Sequence, residues 1–411
     1  MNRCWRTTAQ ATRALAMTVL LGSLVGACAE PGMVLWHAYS GDERLALEGS
    51  VARYNQRHPE APLRAVAVPH AGMADKLASA IPHGNGPDIF IYPNDRLGDW
   101  VSAGTIEPLE FWIDDNLVER FEPAALRSMV DRGSLWALPV AVKTEAMFYL
   151  TDHFKTAPRT VDELRSMAAS AQPLGEYPLG YVNADLYGHA PILHAFGGRA
   201  LDQNDQLEID SVDAVHAAQY ARDLVTSHTV PQNLDGPGMA SMFNNGKVYA
   251  VFSGPWFVGD IAPGVKWGIA TMPTIDIPGK TATPLLPFLG ADALVMSSRG
   301  HHKAAAFVAM SELTDDESAI ARAKLARQIV PNKRAYLDPD VARDPVLAVF
   351  QAQLANALPM PKSPTMRMVW TPYKTALAEI LSGGVEPAKA LRKMEREVAG
   401  YAARDATGGK P

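Results

Sequence analysis

The chain has 411 residues, 47% of them hydrophobic and 20% charged, which is ordinary for a globular protein and long enough for two domains or more. A net charge of −6 argues against nucleic acid or an anionic membrane surface as the main partner. With only two cysteines, a disulfide framework is excluded.

The first element is an export signal. Arg3, Arg6 and Arg13 form a positive n-region, and Ala14 to Val25 is an apolar run too short to span a bilayer, which needs about 20 apolar residues. It ends in Leu24-Val25-Gly26-Ala27-Cys28, which resembles a bacterial lipobox. Residues 1–27 are therefore expected to be a lipoprotein signal peptide, with lipid on Cys28 as the mature N-terminus. An ordinary secretory signal with an incidental cysteine is the plainer alternative. Ala29 carries no aspartate retention signal, so either membrane of a two-membrane cell remains open. No later window is apolar enough to cross a membrane.

Met33 to Trp36 reads as an opening strand, and Gly41 to Tyr54 as a helix stopped at His58-Pro59, since the residue before proline disfavours helix. Leu63 to Val68 alternates as a strand, Met73 to Ile81 is a helix, and Gly84-Asn85-Gly86-Pro87 is a turn. Asp88 to Tyr92 is a buried strand, and Asp95 to Ala103 a helix closed by Gly104. This βαβαβα order predicts an α/β protein with a mostly parallel sheet. Further on, Val212 to Ser227 is an amphipathic helix, and Val248 to Phe252 a strand that runs into Gly254-Pro255-Trp256. Strands follow at Lys266 to Met272 and Leu294 to Ser297. Thr314 and Glu317 have the spacing of a capping box. The stretch Thr375 to Ala402 is largely helical, broken at Gly383-Gly384 and restarted at Pro387. No repeat or low-complexity linker separates two domains, so the chain is expected to cross between lobes through its sheets.

Catalytic motifs are missing. There is no G-x-S-x-G, no P-loop and no H-E-x-x-H. His301-His302 has no carboxylate at metal-ligand spacing, and no metal or cofactor is expected. Asp114-Asp115 and Asp315-Asp316 sit at helix starts, where acidic residues complement the helix dipole.

What remains is a set of aromatics at strand ends and in loops: Tyr92, Tyr187, Trp256 and Trp370. In open α/β sheets, ligands bind beyond the carboxyl ends of the strands. Aromatic faces beside Asp, Glu, Arg and Lys suit a sugar, whose C–H face stacks on a ring while its hydroxyls take charge-assisted hydrogen bonds of about 1.5–3 kcal/mol each. Core packing is the alternative for any one of these rings taken alone.

Six segments in order carry a resemblance. Pro87 to Tyr92 followed by Asp95-Arg96 is similar to a PDI-x-aromatic-xxDR stretch. Leu135 to Val140 is similar to a lobe-crossing segment. Phe243-Asn244-Asn245-Gly246-Lys247 with Gly254-Pro255-Trp256 is similar to F-x-x-G-x…G-P-W. Val265 to Pro273, Pro287 to Gly290 and the helix start at Trp370 complete the set. Together they resemble the extracellular solute-binding proteins of ABC transporters, of the maltose-binding type. The resemblance implies a two-lobed α/β fold of type II, each lobe a mostly parallel sheet flanked by helices, with a hinge between. Lobe I is expected at 28–141 with 276–328, and lobe II at 142–275 with 329–405. The chain would cross near Leu138 to Val142, Met272 to Pro284 and Ile329 to Pro331.

By the same resemblance, Tyr39, Asp42, Glu43, Tyr92, Asp95, Arg96, Glu145, Asp185, Tyr187, Trp256, Trp370 and Lys374 are the expected ligand-binding residues. The implied partners are a saccharide and the permease subunits of an importer whose ATPase is cytoplasmic. The protein would be a monomer in the bacterial cell envelope, binding no nucleic acid and catalysing nothing. Maltose binders of the family have tryptophan at Tyr92, glutamate at Lys143 and arginine at Lys374, and lysine lacks arginine's bidentate fork. These departures leave the sugar class intact and the particular sugar open. An extracellular glycoside hydrolase using Asp95 and Asp185 is one rival reading, and a ligand-sensing lipoprotein is another.

Overall fold

The structure, a computed structural model, describes residues 32–406 except 71, 203 and 278. Cys28 and the expected signal peptide lie outside the described residues.

Two sheets organise the chain. In the first, Met33–His37 alternates buried and half-buried side chains and pairs in parallel with Leu63–Ala67 and Ile89–Pro93. Phe288–Met296 then pairs antiparallel with Ile89–Pro93 on one side and with Ala137–Lys143 on the other, and Leu358–Pro359 adds a short parallel edge. The second sheet has the order Trp267–Ala270, Ala146–Leu150, Val248–Ser253, Tyr177–Gly180. Alternation sorts its side chains: Ala146, Phe148 and Leu150 face one core, while Met147 faces the other.

The first sheet is mostly parallel as expected, with three of its five pairings parallel, and the departure is in the pairings of the second. Only Tyr177–Gly180 and Val248–Ser253 pair in parallel in the second sheet. Every antiparallel pairing in the two sheets involves one of two strands, Ala146–Leu150 or Phe288–Met296. Neither is fed by a βαβ unit. Ala146–Leu150 follows the first-sheet strand Ala137–Lys143 with only Thr144 and Glu145 between. Phe288–Met296 enters the first sheet from the second core, where its own Phe288 packs. Each arrives from the other half, where the helix-fed strands end, and so runs against its neighbours.

The hairpin Thr274–Ile277 with Lys280–Pro284 occupies the expected second crossing. Ile275 and Leu285 pack with Met147 and Tyr181 in the second core, so the passage to the first sheet runs along Phe288–Met296. Beside it, Val142 N–H donates to Ile329 O at 2.7 Å, placing a third segment alongside the other two. The register slips between Asp292 and Ala293, opposite Ala141 and Pro139. Proline has no N–H for the ladder, and the bulge accommodates it.

The helices follow local signals with one correction. Asp114 accepts from Leu117 N–H as an N-cap. The expected capping box fails by one residue: Asp315, not Thr314, accepts from Ser318 N–H at 2.7 Å, while Thr314 Oγ1 donates back to Met310 O in the preceding helix. An aspartate in the next position competes successfully for the cap. The C-terminal helices Pro364–Leu381 and Pro387–Ala406 are separated at Gly383, whose φ of 74° is the left-handed conformation glycine tolerates.

Candidate functional site

The strand Val248–Ser253 is buried throughout and runs into Gly254 and a tight turn, Pro255–Asp260. That turn projects Trp256, whose ring lies against Gly254: a Cβ there would be 2.1–2.6 Å from three ring carbons. Trp256 is 45% exposed, yet it lines three adjoining hollows.

The first hollow, about 300 Å³, brings Tyr92, Asp95, Lys143, Tyr187, Trp256 and Trp370 together. Tyr92 stacks on His70 at 5.2 Å between ring centres and meets Trp100 edge-on. Phe288 backs both Tyr187 and Trp370, at 6.1 and 6.4 Å. Burial pushes the Asp95 carboxyl up to about 6, against the opposing pull of Arg96, and its Oδ1 has no hydrogen-bond partner. The second hollow, about 350 Å³, holds Ser40, Asp42, Glu43, Lys143 and Gln328 around Trp256. The third, about 440 Å³, is lined by Glu145, Asp185, Tyr187, Trp256 and Asp260 among others. Burial, and after it the Asp185 charge, push the Glu145 carboxyl up to about 8.

Three expected residues stand apart. Tyr39 is buried and donates its hydroxyl to Asp292 Oδ2 at 2.9 Å, so it supports the site through Asp292 and lines none of the hollows. Arg96 pairs with Asp99 at 3.5 Å, and Lys374 is exposed; neither lines a hollow. Asp95 and Asp185, the hydrolase candidates, line different hollows. Among the described residues, no group of three His, Cys, Asp or Glu side chains could hold a metal ion, and no helix is long and apolar enough to cross a membrane.

Asp292 and Lys143 were not among the expected ligand-binding residues. Asp292 is 1% exposed and lies in the middle of the apolar strand Phe288–Met296. Its oxygens are matched by the Tyr39 hydroxyl and by Lys143 Nζ at 3.1 Å. A lone charge inside an apolar run was the available signal, because burying it unpaired is costly. Removing one partner of a buried pair costs about 3–5 kcal/mol, but the Lys143 side chain is a third exposed and reaches water. Asp292→Asn should therefore cost about 2 kcal/mol, read as a lower midpoint in chemical denaturation at an unchanged slope.

Comparison with known proteins gives one consistent picture. Residues 39–320 match the model of the family described as bacterial extracellular solute-binding protein. A maltotriose-binding protein of Pyrococcus abyssi is 29% identical over 86% of this chain and 78% of its own length. A maltooligosaccharide ABC transporter solute-binding lipoprotein of Streptococcus pneumoniae is 24% identical over 76% of this chain and 75% of its own. Among solved structures, a cyclo/maltodextrin-binding protein complexed with maltotetraose superposes with a TM-score of 0.80 at 26% identity, covering 89% of this chain and 96% of that one. The two-lobed architecture expected from the sequence is the one these neighbours share.

Proposed function

Because the chain belongs to the family of bacterial extracellular solute-binding proteins, we propose that it captures an oligosaccharide of the maltose type in the cleft around Trp256 and delivers it to an ABC importer. The observation that carries this reading is the position of Trp256. One half-exposed aromatic face borders three hollows whose walls combine Tyr92, Tyr187 and Trp370 with carboxylates and Lys143. Pyranose rings stack on such faces, and their hydroxyls hydrogen-bond to the charged groups between them.

The two lobes are built on the two sheets, and the hinge is formed by Ala137–Lys143, Phe288–Met296 and the segment at Ile329. The ligand bridges the lobes and favours the closed state in proportion to its differential affinity for it. The closed form docks on the permease. Lipid on Cys28 holds the protein at the membrane and facing the cell exterior or periplasm, which keeps it near its transporter. The monomer suffices for this cycle, and the work of transport belongs to the cytoplasmic ATPase.

A thermal-shift series with maltose, maltotriose, maltotetraose and galactosyl oligosaccharides tests the reading. A ligand that binds only the folded protein stabilises it by about 2.7 kcal/mol at a hundred times its Kd. At least one of these saccharides should raise the midpoint by several degrees. A flat response across the whole series would remove the sugar assignment.

A further inference from the structure

The hollow beside Glu145 differs in charge from its neighbours. Its lining includes three carboxyl groups, Glu145, Asp185 and Asp260, and no lysine, arginine or histidine. The other two hollows both contain Lys143. Glu145 is 4% exposed, and its Oε2 has neither solvent nor a hydrogen-bond partner. A carboxyl group in that position is costly to ionise unless a cation arrives to match it. Burial is the main cause that pushes its carboxyl up, to about 8, and the Asp185 charge is the next.

Two helices, Leu186–Phe196 and Gly236–Asn244, begin at this hollow, and helix N-termini favour anions. Each is already capped by a carboxylate. Asp185 Oδ1 accepts from Tyr187 N–H, and Asp235 Oδ1 accepts from Gly238 N–H, both at 2.8 Å. Glu145 takes no part in either cap. The other titratable groups that interact with it are the Tyr181 and Tyr187 hydroxyls, whose own ionisation its charge opposes. The lining adds the rings of Trp256, Tyr187 and Phe257, and aromatic faces attract cations.

We propose that the hollow lined by Glu145, Asp185 and Trp256 is a subsite for a protonated amine carried by the saccharide, so that the preferred ligand contains an amino sugar. The proposal rests on the sugar reading of the cleft. An ammonium group there donates to the Glu145 carboxyl and to Asp185, and lies over the indole. Its arrival makes the ionised form of Glu145 favourable, and the displaced proton leaves to solvent.

The test is calorimetry at pH 7 in two buffers of different ionisation enthalpy. The probes are maltotriose, three maltotrioses each carrying one 6-amino-6-deoxy glucose at a different position, and spermidine as an amine without sugar. One amino-maltotriose should bind at least tenfold more tightly than maltotriose and release close to one proton. In a Glu145→Gln protein whose thermal midpoint confirms folding, the ratio of amino to neutral affinity should fall to about one and the proton release should vanish. If maltotriose binds but no amino analogue binds more tightly or releases a proton, the subsite is refuted and the sugar cleft stands. If no saccharide binds, the cleft reading fails and the subsite with it. Tight binding of spermidine without any sugar would also overturn the proposal, since the amine would then need no saccharide.

Discussion

Replacing Trp256 with alanine is expected to weaken saccharide binding about 100-fold, which corresponds to about 2.7 kcal/mol, and to leave the fold intact. The two halves of that expectation come from the same geometry. The indole borders all three hollows, so a ligand in any of them loses its stacking face. Central aromatic anchors of this kind account for 2 kcal/mol or more of binding when truncated. The ring is 45% exposed and contributes little to either core, so its removal opens no buried cavity. Isothermal calorimetry and a melting curve on the same sample separate the two effects. A change in affinity below threefold would place the ligand elsewhere.

A methyl group added at Gly254 should act through the same ring. The backbone there has φ −91° and ψ −176°, extended geometry that alanine adopts without strain. The added Cβ, however, would lie 2.1–2.6 Å from the Trp256 ring. Because the ring is half exposed, it swings outward instead of forcing the strand apart. Gly254→Ala is thus expected to reduce affinity about tenfold or more, shift the tryptophan emission and move the melting midpoint by only a few degrees. The decisive measurement is a double-mutant cycle: in a Trp256→Ala background, Gly254→Ala should have almost no further effect on binding. Additive losses would mean that Gly254 touches the ligand by itself.

The parts of the fold that were legible in the sequence are those set by local rules. The strands Met33–His37 and Leu63–Ala67, the helix stop before Pro59, and the glycine turn at 383 all depend on residues near one another. Of the aromatic positions, Tyr92 near the end of Ile89–Pro93, Tyr187 at the start of Leu186–Phe196 and Trp256 after Val248–Ser253 were legible from local signals, whereas Trp370, expected at a helix start, lies inside the helix Pro364–Leu381 and still lines the same hollow. What escaped was set by long-range pairing. Nothing within Ala146–Leu150 announces that it runs against its neighbours; its direction follows from where the chain has just been. Asp292 was hidden because its partners, Tyr39 and Lys143, are 253 and 149 positions away. Arg96 pairs with Asp99 and Lys374 lies exposed in the middle of Pro364–Leu381, so neither lines a hollow, and the sequence carried no signal for those long-range placements.

The pairing of Phe288–Met296 with Ala137–Lys143 has a mechanical consequence. Gly290 opposes Lys143, Ala291 opposes Val142, and Val142 also bonds to Ile329, so three segments lie side by side as one narrow ribbon. Shearing such a ribbon in its own plane breaks its ladder, whereas bending it out of plane stretches no hydrogen bond appreciably. If the lobes move about this ribbon, they have one soft direction. The path of closure is then a property of the empty protein, and the ligand determines only how far along that path the equilibrium lies.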